Sequence, residues 1–317
     1  MCVDTMSITR SLPLLAALAL LPGLAACSAA DARDGDDMDS DLINGKPVAA
    51  DAFGATLLLV RSTCTAVKVG PRHILTAGHC VRDAAGNVKP EFTPRAPLRL
   101  KTRAEPDPLG TAYTVEKTVL HPRLLEVCST LGCAGPAAND RRDAPDVAVI
   151  IASREIRDIP STPVDLDPVS VGESVTILGY GCQSGANGAF DADGVLRAAK
   201  TKVLDAKAIV HEGSPVRSDE TEVVANMRGD YVFTPGPGMN DAAAGLCPGD
   251  SGGPVYRGST TRASVVGVNA SYTFHSKDAV GLPVTNWHTR LDAGARHEMK
   301  GWLEGLGVET THGATRQ

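Results

Sequence analysis

The chain has 317 residues, of which 43% are hydrophobic and 21% charged, with a formal net charge of −6. That is enough apolar material for a sizeable core, so the chain is not disordered as a whole, and the acidic balance excludes the basic surface that nucleic-acid binding requires. Glycine (32) and proline (21) fill one sixth of the chain, which favours short elements joined by turns over long helices.

The first element in chain order is an address. Leu12–Leu24 is an apolar stretch broken by Pro13, Pro22 and Gly23. It is shorter than the ~20 residues a spanning helix needs and has the length of a signal-peptide core. It ends in Leu24-Ala25-Ala26-Cys27, which resembles a bacterial lipobox. Residues 1–26 are therefore expected to be a lipoprotein signal peptide, with Cys27 acylated and Met6 an alternative start. Ser28 at the next position points to outer-membrane sorting. Six aspartates between Ser28 and Asp41 face only Arg33 and sum to −5, so nearly all the net charge sits in this run. Residues 27–41 read as a solvated, flexible tether or propeptide.

Beyond the tether, short apolar runs alternate with turn residues. Candidate strands are Ala55–Val60, Cys64–Val69, His73–Ala77, Leu98–Thr102, Ala112–Leu120, Val147–Ala152, Ser174–Gly179, Leu196–Leu204, Gly253–Tyr256 and Ser264–Asn269. They are rich in Val, Ile, Leu and Thr, which predicts an all-β barrel or sandwich. Arg82–Pro97, Leu124–Pro145, Gly181–Gly194 and Gly229–Gly249 are Gly/Pro-rich connections and read as surface loops. Within the third of these, Asp191-Ala192-Asp193-Gly194 lacks a full calcium-loop pattern and reads as a turn. Met299, Trp302, Leu303 and Leu306 fall at i, i+3, i+4 and i+7, one face of a closing helix.

With Cys2 removed with the signal and Cys27 lipidated, six cysteines remain: Cys64, Cys80, Cys128, Cys133, Cys182 and Cys247. In an exported chain an even set predicts three disulfides, with fifteen pairings open. No CxxC is present, and His297-Glu298 lacks the second histidine of a zinc-protease helix, so no metal and no cofactor are expected.

Three segments carry chemistry. Gly245-Leu246-Cys247-Pro248-Gly249-Asp250-Ser251-Gly252-Gly253-Pro254 presents a serine on a backbone free to bend sharply. A serine is a poor nucleophile without a base, and Ile74-Leu75-Thr76-Ala77-Gly78-His79-Cys80 supplies one. In Asp143-Ala144-Pro145-Asp146-Val147-Ala148-Val149-Ile150 an aspartate opens an apolar strand, and a carboxylate about to be buried needs a partner such as an imidazole N–H. Asp140 and Asp143 compete with Asp146, but only Asp146 directly precedes the strand. Singly, Ser251 could be a turn serine, His79 a core histidine and Asp146 a strand cap. Together, and in this order, those readings become improbable.

The order His79…Asp146…Ser251 resembles the chymotrypsin/trypsin family of serine endopeptidases. So do Cys64-Thr65-Ala66-Val67 with Pro71–Ala77, Leu178-Gly179-Tyr180-Gly181, Val266-Gly267-Val268, Thr289-Arg290-Leu291 with Trp302-Leu303, and Leu42-Ile43-Asn44-Gly45 at the position of a mature N-terminus. The likeness runs from about Leu42 to Gly307 and implies two six-stranded antiparallel Greek-key barrels with a C-terminal helix. The domain would span 42–317, with a first barrel at about 42–155, a second at about 156–290 and the helix at about 293–306. By the family's mechanism Ser251 attacks, His79 relays the proton, Asp146 orients the imidazole, and the N–H groups of Gly249 and Ser251 form the oxyanion hole.

The resemblance also implies an activation pocket in which Asp250 pairs with a new ammonium at Leu42 after an activating protease cuts. Here the chain departs from the family: leucine stands where Ile or Val is usual, and Asp41 replaces Lys or Arg before the cut. Gly245, Ser271, Tyr272 and Asn286 are the expected specificity pocket. Gly245 occupies the place where trypsin-like members carry Asp, which argues against Lys/Arg specificity and for small or medium apolar side chains. The family clamps its histidine loop with the equivalent of Cys64–Cys80. Cys128–Cys133 would close a small loop, leaving Cys182–Cys247, whose usual downstream partner is missing. The expected partners are protein or peptide substrates and a bilayer reached through Cys27, in the outer membrane, periplasm or cell surface. Two other readings compete. A Gly-x-Ser-x-Gly hydrolase lacks the required strand before the serine, and a non-catalytic or zymogen-locked lipoprotein would normally have lost a triad member.

Overall fold

The structure is a computed structural model and describes residues 42–49, 51–103, 105–133, 144–182, 193–205, 229–260, 262–273 and 284–313. All of these belong to the unit Asp37–Gln317. The signal peptide, Cys27, the tether, Asp140, Asp143 and Asp191 lie outside the described residues.

After β1 (Lys46–Pro47) come the strands β2 (Thr56–Leu59), β3 (Cys64–Lys68), β4 (His73–Thr76), β5 (Pro97–Lys101), β6 (Thr111–Leu120) and β7 (Ala148–Ala152). The last six close a barrel in the order β2-β3-β4-β7-β6-β5, antiparallel throughout. Five of its strands are four or five residues long and β6 is ten, and β7 (Ala-Val-Ile-Ile-Ala) is buried at every residue. The closed ring leaves no edge for foreign pairing.

The remaining strands are β8 (Val164–Asp165), β9 (Ser174–Gly179), β10 (Arg197–Lys202), β11 (Tyr231–Pro235), β12 (Pro254–Arg257), β13 (Ser264–Thr273), β14 (Thr285–Arg290) and β15 (Thr310–Thr311). They build a second sheet in the order β1-β10-β9-β12-β13-β14-β11, with β8 between β13 and β15, and it curls as a half-barrel. β1 precedes the closed barrel in the chain but pairs with β10 of this second sheet.

Among the described residues three α-helices decorate the strands, α1 (Gly78–Val81), α2 (Pro122–Leu131) and α3 (Met299–Gly305), with a 3₁₀ turn at Pro90–Phe92. The sheets, the closed barrel and the terminal helix are the all-β architecture expected from the sequence. α3 buries Met299 and Leu303 in the larger apolar cluster, with Trp302 and Leu306 packed beside them, as the periodicity requires. That cluster fills the barrel and crosses to Leu178, Tyr180, Tyr256 and Val268 of the second sheet. A smaller one, with Leu42, Ile177, Val232, Leu246, Val255 and Val266, lies within the second sheet.

Two segments differ from the reading as loops. Tyr231–Pro235 is a buried strand, pinned by five residues of register against β14. α2 starts at Pro122, where a missing N–H costs nothing, and is capped by His121, whose Nδ1 accepts from the Arg123 N–H at 3.2 Å. Its Leu124, Val127 and Cys128 share one buried face.

Candidate active site

His79 sits on the single turn of α1, delivered by β4 of the closed barrel. Asp146 stands just before β7, which pairs with β4, so the register of two adjacent strands brings the residues together. Asp146 grips His79 twice. Oδ1 accepts the His79 backbone N–H at 2.9 Å, and Oδ2 lies 2.5 Å from Nδ1. The Asp146 carbonyl accepts from the Thr289 hydroxyl at 3.1 Å, tying the site to β14. Burial pushes the Asp146 carboxyl up, but the His79 charge and hydrogen bonds, with Arg82, outweigh it and hold the group below the usual carboxylate range. An ionised Asp146 demands the proton on Nδ1, which leaves Nε2 with its lone pair free to accept. The His79 side chain keeps 34% of its surface exposed, so a substrate can reach it.

Ser251 arrives from the other sheet, on the loop before β12. Its link to the first barrel is Thr65 on β3. The Thr65 N–H donates to the Ser251 carbonyl at 2.9 Å, and its Oγ1 donates to the Gly249 carbonyl at 2.8 Å while accepting from the Tyr180 N–H at 3.0 Å. Cys80, next to His79, has its Sγ 3.6 Å from the Ser251 carbonyl. Gly252, at φ +83°, is pressed so closely on the barrel that a Cβ there would overlap Thr76 Oγ1 and the Thr65 carbonyl. Ser251 and His79 are thus on facing elements. Among the described residues no hydrogen bond joins the Ser251 hydroxyl to the imidazole. Nor, among the described residues, do the N–H groups of Gly249 and Ser251 find an acceptor. Two unsatisfied N–H groups beside a serine are what an oxyanion would use.

Asp250 points away from solvent, between Gly179 and Gly181, where any Cβ would collide with its carboxyl. Its oxygens accept from the Gly181 and Cys247 N–H groups, each at 2.9 Å. Burial pushes its pKa up to about 7, and those two donors offset only part of the shift. Leu42 is buried in the second-sheet core while the chain is unbroken. Ile43 forms a two-way bridge with Gly245 (3.1 and 3.0 Å), and Asn44 Nδ2 donates to the carbonyls of Asp241 and Ala243 at 2.6 and 2.9 Å.

The four residues expected in the specificity pocket do not behave alike. Gly245 is crowded by Pro237 and Ile43. Ser271 is exposed and Tyr272 half-buried, and burial raises the Tyr272 phenol with a contribution from Asp250. Asn286 is fully buried, and its amide is engaged by the protein itself. Oδ1 accepts from the Leu246 N–H at 2.8 Å, and Nδ2 reaches the Ala244 carbonyl, the Pro235 carbonyl and Thr234 Oγ1 at 2.8, 3.1 and 3.2 Å. Sequence reasoning missed Thr65 and the polar residues around Asn286. Thr65, Thr234 and Asn269 are polar residues in largely apolar strands, whereas Asn286 and His288 lie in the polar run Thr285–Arg290 and carry no such signal.

The cysteines pair as Cys64–Cys80, Cys128–Cys133 and Cys182–Cys247, with Cα separations of 6.1, 4.7 and 5.8 Å. The first clamps α1 to β3, and its sulfurs lie with a His79 ring nitrogen inside 4.8 Å. Both are committed to the disulfide, so that trio offers no thiolate to a metal. Asp193 closes bidentate on Arg197 at 2.8 and 2.6 Å. Surface hollows of about 430 and 490 Å³ lie at Tyr113 and Arg154 and at Asp165 and Arg257, and neither is lined by His79, Asp146, Ser251 or Asp250. In the larger, Arg257 is already bound to Asp165 and Glu173 at 2.6 Å each.

A family model described as Trypsin matches residues 42–285. No curated protein gives a significant match to the chain.

Proposed function

The chain belongs to the trypsin family, and from that premise we propose that it is a serine endopeptidase working through His79, Asp146 and Ser251. The two-point grip of Asp146 on His79 carries this reading. With Nδ1–H held by the carboxylate, Nε2 takes the Ser251 proton as Oγ bonds to the substrate carbonyl carbon. The carbonyl oxygen becomes an oxyanion, received by the N–H groups of Gly249 and Ser251. Collapse breaks the C–N bond, and the imidazolium returns its proton to the leaving amine. Water, deprotonated by the same Nε2, then hydrolyses the acyl ester and restores Ser251. Neither Gly245 nor the engaged amide of Asn286 offers a charge for a basic side chain, so the substrates are proteins or peptides cut after small or medium apolar residues.

The chain is exported, and its disulfides suit an oxidising compartment. Among the described residues no helix is long and apolar enough to cross a membrane. Acylated Cys27 anchors it to the outer membrane or cell surface through the acidic tether. Asp250 and Leu42 form the activation pocket. In the unbroken chain Leu42 is already seated, and a protonated Asp250 stands in for the ion pair. A cut before Leu42 by an activating protease would add an ammonium and release the domain from its anchor.

The test is labelling by a fluorophosphonate probe together with casein hydrolysis by residues 28–317. Both are expected for the wild type, and Ser251→Ala should abolish both while the fold, read by circular dichroism and Tm, persists. Labelling that survives in Ser251→Ala refutes the assignment.

A further inference from the structure

Behind the nucleophile loop, four polar side chains are buried in β11, β13 and β14. Strand register places them: Thr234 faces Asn286, and Asn269 faces His288. All four are 0% exposed. Their hydrogen bonds form one line: Asn286 Nδ2 to Thr234 Oγ1 at 3.2 Å, Thr234 Oγ1 to His288 Nε2 at 3.0 Å, and His288 Nδ1 to Asn269 Oδ1 at 2.9 Å. From Asn269, Nδ2 reaches the Leu178 carbonyl at 2.9 Å and the Asp250 carbonyl at 3.2 Å.

The direction of every bond follows from the ends. The Asn269 amide nitrogen faces two carbonyls, so it is the NH₂ group, and Oδ1 must accept from His288. That puts the His288 proton on Nδ1 and makes Nε2 an acceptor. Thr234 must then donate its O–H to Nε2 while accepting from Asn286, whose orientation is set independently by the Leu246 N–H and the Ala244 carbonyl. No member can reverse without placing donor against donor. Burial lowers the His288 pKa to about 3, which agrees with a neutral ring.

We propose that His288, Asn269, Thr234 and Asn286 are positioning residues that aim the oxyanion hole. The carbonyl that Asn269 holds belongs to the same planar peptide unit as the Ser251 N–H, so fixing one end fixes the direction of the other. The Gly253 N–H, at 3.0 Å from that carbonyl, is its second anchor. Asn269 also uses its own backbone on the loop, accepting from the Gly252 N–H at 2.7 Å and donating to the Gly253 carbonyl at 2.8 Å. At the other end of the line, Asn286 holds Leu246 and Ala244, where the same loop begins. The line thus grips both ends of the segment that carries Ser251, and its histidine, held by Asn269 as the Nδ1–H tautomer, is the link that joins the two ends. This rests on the serine-endopeptidase reading and extends it from the reacting groups to what orients them.

The experiment uses the exported wild-type chain and three variants, with active sites counted by fluorophosphonate titration and hydrolysis measured on a chromogenic peptide amide taken from a casein cleavage site. His288→Leu cuts the line, and kcat per titrated site should fall about 10- to 100-fold with KM little changed, short of the 10²–10³ seen when an oxyanion donor is removed outright. His288→Asn keeps a donor where Nδ1 was and should recover most of that loss. Thr234→Val, of equal volume, should lower kcat by about 2- to 10-fold, the size of one net hydrogen bond. Imidazole ¹⁵N spectra should show His288 as the neutral Nδ1–H form in the wild type. An unchanged kcat per site in His288→Leu, or in Thr234→Val should the leucine variant not fold, overturns the positioning role, as does an Nε2–H tautomer. Absence of labelling and hydrolysis in the wild type itself would instead remove the endopeptidase reading on which the role depends.

Discussion

Thr65→Val is the sharpest perturbation of the join between the two sheets. Valine is close to threonine in shape, so no cavity opens, but its methyl cannot sit as near the two backbone atoms as the hydroxyl does and adds a small steric cost of the same sign. What disappears is one hydroxyl that donates to the Gly249 carbonyl at 2.8 Å and accepts from the Tyr180 N–H at 3.0 Å, in a side chain that is 0% exposed. Both backbone groups are left buried without a partner, at about 1–3 kcal/mol each. Partial relaxation reduces the sum, and a loss of about 2–4 kcal/mol is expected, equivalent to a fall in Tm of roughly 5–15 °C for a domain of this size. Because Gly249 carries one of the N–H groups beside Ser251, kcat per titrated site should fall as well, by about tenfold, since small misplacements near a reacting centre are expensive. The assay is differential scanning fluorimetry of the disulfide-intact protein alongside titrated kinetics, with Thr65→Ser as the variant that restores the hydroxyl. A Tm within about 2 °C of wild type for Thr65→Val would show that the hydroxyl does not carry the join and would refute the reasoning.

Asp146→Asn keeps the shape of the site but removes the charge that orders the imidazole, so kcat should drop by on the order of 10⁴, read from peptide-amide hydrolysis. Asp250 gives a pH signature. Its folded pKa of about 7 lies above the ordinary carboxylate value, so folding takes up a proton. Its contribution is fully present below the unfolded pKa and is lost as pH rises through about 7. The wild-type-minus-Asp250→Asn difference in Tm of the unbroken chain should therefore decline across that window, and a cut before Leu42 should flatten the decline; a difference independent of pH would contradict a protonated carboxyl. Gly252→Ala should destabilise by about 3–5 kcal/mol, from overpacking plus a left-handed backbone that alanine resists, and should be seen as failed secretion or a much lowered Tm.

The parts of the site that the sequence exposed are those whose chemistry demands a fixed local neighbourhood. A serine between glycines, a histidine after an alternating strand and an aspartate at the head of Val-Ala-Val-Ile each advertise a role within a few residues. The strands of the closed barrel were legible for the same reason, since they are apolar or alternating runs punctuated by turn residues. The His288 line could not be found that way. Thr234, Asn269, Asn286 and His288 come from three strands, and only the register that sets Asn269 against His288 and Thr234 against Asn286 makes them one object. β11 was hidden in a stretch flanked by Gly229 and by Pro235-Gly236-Pro237, whose turn signals outweigh four apolar or β-branched residues. α2 was hidden by Pro122, a helix starter that reads as a breaker when its cap is not visible. Thr65 looked like one more β-former beside Cys64, and its value lies in what it touches more than a hundred residues away.

The missing side chain of Gly252 has an implication for how this molecule can change over evolutionary time. At that point the backbone of one half lies against Thr76 and the Thr65 carbonyl of the other with no room for a single extra carbon. The two halves therefore cannot drift independently: any substitution that thickens the seam on one side must be answered on the other, or the hydroxyl and the imidazole part company. Remodelling is confined to the rims, where insertions leave the seam untouched. Expressing the halves as separate polypeptides would leave each with half of an interface that neither can complete alone.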